Sequence, residues 1–265
     1  VSAAIAIAYR NLATIGSLTA SSSATGWPSS NLKLADLMRG WRSTVATAST
    51  IDCDLGAVIG PPHQIDLVAL LGVNLTDAAD WRVYIDDSAG FGSPEYDSLS
   101  LDAFDLTYPS LLPDSHAAGR HLIHLTPTTI NEQYVRLVLT DPDIPQGHHQ
   151  GGVLWIGPVW RPAQTFGYDW RPGDLSVGTN GMEVLVAAHR LTIPSLTAAE
   201  IHQLRSIYRA LGRTGRMLIV PRPASPEAWQ HEVLYCTFVD DLQVQPMMTR
   251  DELWAATLHV QEVID

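Results

Sequence analysis

Residue types able to do chemistry are spread thinly along these 265 residues, and few sit at a working spacing. His231-Glu-Val-Leu-Tyr235 approaches the H-E-x-x-H of a zinc protease, in which two imidazoles one helical turn apart hold the metal. Tyr235 stands where the second histidine is needed, and the run reads as a strand. His148 and His149 are adjacent in a glycine-containing turn, where neighbouring side chains seldom converge on one ion, so an exposed turn is expected. Asp141 to Gly147, "DPDIPQG", offers oxygens of the kind a structural calcium takes, without the spacing of an EF-hand loop. Asp86-Asp87 and Asp240-Asp241 alternate across strands or sit in turns, unlike the converging acids of a glycosidase. The G-x-S-x-G elbow, the phosphate-cradling G-x-x-x-x-G-K-[ST] loop, the dinucleotide G-x-G-x-x-G and any C-x-x-C pair are all missing from the sequence. The expectation is a protein without catalytic residues, metal or cofactor.

Eight tryptophans are the other chemical feature. Sugar-binding faces use exposed aromatic rings as platforms, with a few polar groups fixing orientation. Trp155 and Trp254 lie in the strongest strand patterns and read as core. Trp27, Trp41, Trp81 and Trp170 flank turns, and Trp27, Trp41 and Trp81 with Arg82 are the candidate ligand contacts.

The elements that must position these residues are mostly strands. From Ile51 to Val159, short runs rich in Val, Ile, Leu, Tyr and Trp are broken by Gly, Pro, Asp and Asn, which points to an antiparallel sandwich or barrel. In "QYVRLVLT", Tyr134, Arg136, Val138 and Thr140 alternate with Val135, Leu137 and Leu139, so one face is core. Residues 91–119 form a long aromatic insertion, expected to pack over the sandwich or meet a partner. Texture changes near Gly173 to Gly181. Beyond it, Thr197 to Leu211 is the clearest helix: Thr197 and Glu200 form a capping box, Ile201, Leu204, Ile207, Tyr208 and Leu211 make one apolar face, and Gly212 ends it. "MEVLVAAHRLTIPSL" before the helix reads as a long strand, and "RMLIVP", "HEVLYCTFVDDLQVQP" and "DELWAATLHVQEVID" after it as three more, giving a smaller α+β unit with its helix between the first and second strands.

Bulk numbers narrow the classes. A formal charge of −12 and a pI near 5.1 argue against a nucleic-acid surface, which needs clustered Lys and Arg. Cys53 and Cys236 fall in different expected domains, so a disulfide framework is not expected. The apolar opening "VSAAIAIAYR" lacks a basic flank and the length of a signal peptide or membrane span, and it alternates like a first strand.

The order "ASSSATGWPSSNL", "GWRST", "IDCDLG", "IDLVALLGVNL", "DWRVYID", "QYVRLVLTDPD" and "GGVLWIGPVW" resembles the discoidin, or galactose-binding-like, jelly roll over about residues 17 to 160. That resemblance implies that Trp27, Pro28, Asn31, Leu32 and Trp41 buttress the loop end of the roll. Taken whole, the chain is similar to minor tail proteins of tailed bacteriophages, through "AYRNLATIGSLTASSSATGWPSSNL", "GGVLWIGPVWRPAQTFGYDW", "GRMLIVPRPASPEAWQHEVLYCTFVDDLQV" and "LWAATLHVQEV". The resemblance implies a mainly β chain: an N-terminal strand or arm (1–16), a jelly-roll β-sandwich (17–162) and an α+β tail-assembly domain (163–265). It further implies a structural, distal-tail or hub-adaptor component of a virion tail tip, made in the bacterial host cytoplasm. Such a component assembles into a homo-oligomeric ring, with tail-tube and hub proteins and a host-surface glycan as further partners. Ile201, Arg205, Tyr208, Trp229 and Trp254 are the implied interface residues. The alternative is a carbohydrate-binding module with no virion role.

Overall fold

Alternating apolar residues close this chain into antiparallel sheets, and it is mainly β. The computed structural model describes residues 5–45, 47–56, 63–104, 120–163, 169–179, 182–247 and 253–263, with the backbone alone over 169–179 and 182–187. Two compact units divide it, Arg10–Val159 with Glu227–His231, and Val1–Tyr9 with Trp160–Pro226 and Glu232–Ile264. The N-terminal strand β1 (Ala6–Ala8) belongs to the second of these.

The first unit is the sandwich. Its strands are β2 (Ser17–Ala20), β3 (Trp41–Arg42), β4 (Ala48–Asp54), β5 (Ile65–Val73), β6 (Asp80–Asp86), β7 (Tyr96–Asp97), β8 (Leu101–Asp102), β9 (Arg120–Ile130), β10 (Tyr134–Thr140), β11 (Gln150–Gly151) and β12 (Val153–Gly157). One sheet runs β2-β4-β10-β6-β7, with β8 also on β6; a three-stranded sheet runs β12-β5-β9, and β11 pairs β3. β10 alternates as its sequence requires, with Val135, Leu137 and Leu139 buried and Tyr134, Arg136 and Val138 half-exposed. Val135, Leu137 and Leu139 join Ile51, Cys53, Val83 and Ile85 from one sheet and Val68, Leu70, Leu122, Leu154 and Ile156 from the other in a single core. Fully burying each such side chain contributes about 1.5–3 kcal/mol, which suffices without a disulfide; both cysteines are free. The described part of the insertion packs on this unit: Ala103 and Phe104 are core residues, and Tyr96 and Leu101 lie against it. Residues 105–119 lie outside the described residues.

The second unit continues with β13 (Val159–Trp160), β14 (Asp169–Thr179), β15 (Met182–Leu196), helix α1 (Ala198–Leu211), β16 (Met217–Val220), β17 (Leu234–Phe238), β18 (Gln243–Pro246) and β19 (Trp254–Glu262); between β16 and β17 in the chain comes the short helix α2 (Trp229–Glu232), whose residues Trp229 to His231 belong to the first unit. Its sheet runs β13-β1-β16-β17-β19-β15-β14, with β18 also on β19. Thr197 accepts from the Glu200 backbone and Glu200 accepts in return from the Thr197 backbone, so the expected capping box is formed. Ile201, Leu204 and Ile207 enter the core beside Leu191, Ile193, Leu258 and Val260, and Gly212 closes the helix at φ 59°.

The helix sits between β15 and β16, the two runs expected to flank it. One strand joins those expected: β14 runs through Arg171 to Thr179, held by backbone pairing to β15. One expectation changes. "HEVLYCTFVDDLQVQP" is not one strand: His231 and Glu232 end α2, and the acidic turn at Asp240-Asp241 separates β17 from β18.

Replacing Thr197 by Ala removes the hydroxyl acceptor of the box and is expected to lower stability by about 1 kcal/mol, while Thr197→Ser restores it. Equilibrium urea unfolding, read through far-ultraviolet circular dichroism, measures both.

Candidate functional site

The segment Ala24 to Val45 has no strand or helix period, yet it is fixed from both sides. The Ala24 amide donates to Arg42 O (2.8 Å), the Trp27 amide to Ala24 O (2.9 Å) and the Arg42 amide to Trp27 O (3.3 Å), which folds the segment back on itself. A 3-10 turn over Ser29–Lys33 buries Leu32, and the Asn31 side-chain amide reaches across to Gly40 O at 3.1 Å. Trp41 is fully buried, and its indole N–H donates to Ser22 O (2.9 Å) and Ser23 Oγ (3.2 Å). β3 then pairs β11, with Trp41 opposite Gly151 and Arg42 opposite Gln150. A Cβ on Gly40 would lie 1.9 Å from Gly151 O, so only glycine permits this approach.

At the surface of this end, the Arg42 guanidinium carbon lies 3.6 Å from the centroid of the half-buried Trp27 ring, and Arg42 Nε donates to Gln150 Oε1 at 2.9 Å. Leu34 and Met38 stand exposed on the same segment, Met38 at 65%. Behind them Asn74 clamps the β11 approach, its amide donating to His148 O (2.8 Å) and its oxygen accepting from the Gln150 amide (2.7 Å). The loop end is thus a rigid frame carrying one aromatic ring, one cation and one amide.

Of the candidate tryptophans, only Trp27 remains open. Trp41 and Trp81 are core residues, at 0% and 1% exposure: the alternation of β6 points Trp81 inward, and Trp41 is drawn in by its hydrogen bonds to Ser22 and Ser23. Arg82 is not at the loop end; it projects from β6 and makes a bidentate pair with Asp97, Nε donating to Oδ1 at 2.7 Å. That hydrogen bond holds the Asp97 carboxyl below its usual range. Beside it, Arg136 pairs with Asp52 (2.6 and 2.8 Å) and lies 4.3 Å over Phe91, while Arg82 lies 4.7 Å over Tyr84. Trp155 is buried as expected, Trp254 is half-buried against its core, and the Trp170 side chain lies outside the described residues.

The implied interface residues also turn inward. Ile201 is in the core, and Tyr208 packs edge-on against Phe238 with its hydroxyl donating to Asp241 at 2.6 Å. Trp229 is buried 6.1 Å from the His124 ring, leaving Arg205 as the one fully exposed member.

The remaining chemical candidates serve structure. Glu232 is buried in a bidentate pair with Arg222, Nε to Oε2 at 2.6 Å, so the His-Glu pair of the protease-like run holds a turn. His149 is buried rather than exposed, with Nδ1 2.9 Å from Ser49 Oγ, while His148 Nδ1 lies 3.0 Å from Gln146 O. Asp141 is fully buried and accepts from the Thr76 amide (2.7 Å), the Thr76 hydroxyl (2.8 Å) and the Asp143 amide (3.1 Å). Among the described residues no group of three or more His, Cys, Asp or Glu is placed to hold a metal. Burial pushes the Cys53 thiol up to about 12 and the Cys236 thiol well above its usual value, which withholds the thiolate a nucleophile needs.

No protein-family model matches the chain, and no curated protein matches it. Among solved structures, it is similar to the N-terminal domain of the single-strand break repair protein XRCC1, at 19% identity and a TM-score of 0.33, over 57% of this chain and 98% of that one. It is also similar to a serum F-lectin (fucolectin) from striped bass, Morone saxatilis, at 11% identity and a TM-score of 0.40, over 97% of this chain and 99% of that one. At such scores the assignment of a β-sandwich rests on the strand order and core described above.

His124 supplies the pH-sensitive point of the sandwich unit. Its ring is buried beside Trp81 and Trp229, with Nε2 2.6 Å from the Tyr96 hydroxyl, and burial pushes its pKa down to about 4. Above pH 6.5 the group is neutral folded and unfolded. As pH falls from 6.5 toward 4, the unfolded chain binds the proton first, so stability is lost across that window, by up to about 3 kcal/mol. Urea unfolding at pH 7 and pH 4.5 should show the loss, and His124→Gln should flatten it.

Proposed function

We propose that this chain is a non-catalytic attachment protein whose jelly roll holds out its loop end to a surface carbohydrate. The observation that supports this is the Trp27–Arg42–Gln150 cluster on a segment fixed by Trp41, Asn31 and Gly40. A sugar needs a flat apolar surface and a few hydrogen-bonding groups held before it arrives, because ordering them on binding costs affinity. Trp27 provides the surface. Gln150 and Arg42 provide the polar edge, and the terminal nitrogens of Arg42 make no hydrogen bond among the described residues.

The setting we propose is the tail tip of a phage or phage-like particle, in which the chain is a structural component of distal-tail or hub-adaptor type. This rests on the order of the sequence stretches similar to minor tail proteins. Ring assembly in that setting requires a heterologous contact that closes by rotation. Mixing the chain with tail-tube and hub proteins and sedimenting the mixture tests it: co-sedimentation or closed rings are expected, and a monomer that ignores every such partner overturns the tail-tip role.

For the carbohydrate reading, a panel of immobilised glycans is the direct test. The chain should be retained by at least one glycan class, and Trp27→Ala should abolish retention while leaving the unfolding midpoint nearly unchanged. Single-site sugar affinities are weak, so the panel is presented multivalently. No retention on any multivalent glycan overturns this reading.

A further inference from the structure

The eight-stranded sheet of the second unit ends in a strand longer than anything that protects it. β15 pairs β19 only from Ala188 to Leu196, while β14 pairs β15 along its whole eleven residues, Thr179 opposite Met182 and Asp169 opposite Thr192. Residues 174–179 and 182–187 therefore form a two-stranded ribbon that outruns the sheet. Among the described residues no second strand pairs β14, so the backbone donors and acceptors of its outer edge have no ladder partner. Two-stranded ribbons are marginal by themselves in water, and this one pairs apolar positions, Leu175 with Val186 and Val177 with Val184.

The usual protections against edge pairing are sparse. β14 carries no lysine, and its proline, Pro172, lies before the overhang. From Gly173 to Thr179 the edge is seven residues without proline, and Ser176 is its centre. Antiparallel pairing of two identical strands about a two-fold axis must place one residue opposite its own copy, because side chains on opposed residues share a face. Centring on Asp174 would oppose two carboxylates, and centring on Arg171 two guanidiniums, both destabilising. Centring on Ser176 uses the whole proline-free run, sets Leu175 opposite the partner's Val177 twice, and opposes no like charges.

We infer that the β14 edge binds a second copy of this chain, antiparallel and two-fold symmetric about Ser176, joining two eight-stranded sheets into one. The inference is independent of the carbohydrate reading, and a two-fold pair does not itself close a ring, so a ring would use a further contact.

Sedimentation equilibrium of the full chain across a concentration series tests it, with two variants. Ser176→Lys opposes two ammonium groups at the axis and should weaken dimerisation at least about tenfold. Ser176→Cys places two thiols across an antiparallel pair, at about 4.5–5.5 Å between Cα atoms, within disulfide reach. Mild oxidation should then give a covalent dimer, whereas Ser206→Cys on the exposed face of α1 should not; the two native thiols are buried and stay silent. A wild-type monomer up to about 100 µM, on the scale of weak association, overturns the inference. So does a dimer that Ser176→Lys leaves intact, or one in which Ser176→Cys cross-links no better than Ser206→Cys. Glycan retention by the Ser176→Lys monomer separates failure here from failure of the carbohydrate reading.

Discussion

Burial of Trp41 is the interaction on which the sandwich unit most depends. A tryptophan taken wholly out of water must keep its indole N–H hydrogen-bonded, and Ser22 O and Ser23 Oγ do this from the strand-end before the loop. Satisfying that donor ties the start of the segment to its end and brings β3 alongside β11, which only glycine at position 40 allows. Trp27, Arg42 and Gln150 then occupy fixed surface positions as a consequence of what lies beneath them.

Charge is arranged with the same economy. The chain carries excess carboxylates, yet the arginines on the outer face of the larger sandwich sheet are each matched to an aspartate, Arg136 to Asp52 and Arg82 to Asp97, and stacked over Phe91 and Tyr84. Solvent screening leaves pairs of this kind little weight in stability, so their effect is to fix the face rather than to hold the sandwich together. Glu232 differs, being wholly buried against the partly exposed Arg222; removing Arg222 would leave a buried carboxylate uncompensated.

Much of this was legible in the sequence where one physical rule acts alone. The alternation of β10 and β19, the capping box and apolar face of α1, and the irregular but packed segment Ala24 to Val45 follow from local patterns. The candidate ligand residues were less legible. Trp41, Trp81 and Trp27 all flank turns, and which ring faces inward is set by partners distant in the sequence, Gly151 for Trp41 and Leu139 for Trp81. Arg82 was placed at the loop end because its true partner, Asp97, lies on a two-residue strand that no periodicity reveals. β14 is hard to see for a related reason: Pro172, Gly173 and Gly178 are poor strand residues, and only the pairing with β15 makes them strand.

The pairing of β1 with β16, Ala6 opposite Val220, has a consequence for how the molecule is made. A ribosome adds about 5–20 residues per second, so the first strand emerges roughly ten to forty seconds before the strand it joins. Throughout that interval Ile5 and Ile7, both wholly buried in the finished molecule, have no native neighbour on that strand. The sandwich closes in a similar way, since β4 waits for β10 and β3 for β11. Such long-range closure makes folding slow and leaves nascent β1 dependent on whatever shields apolar chain in the cell.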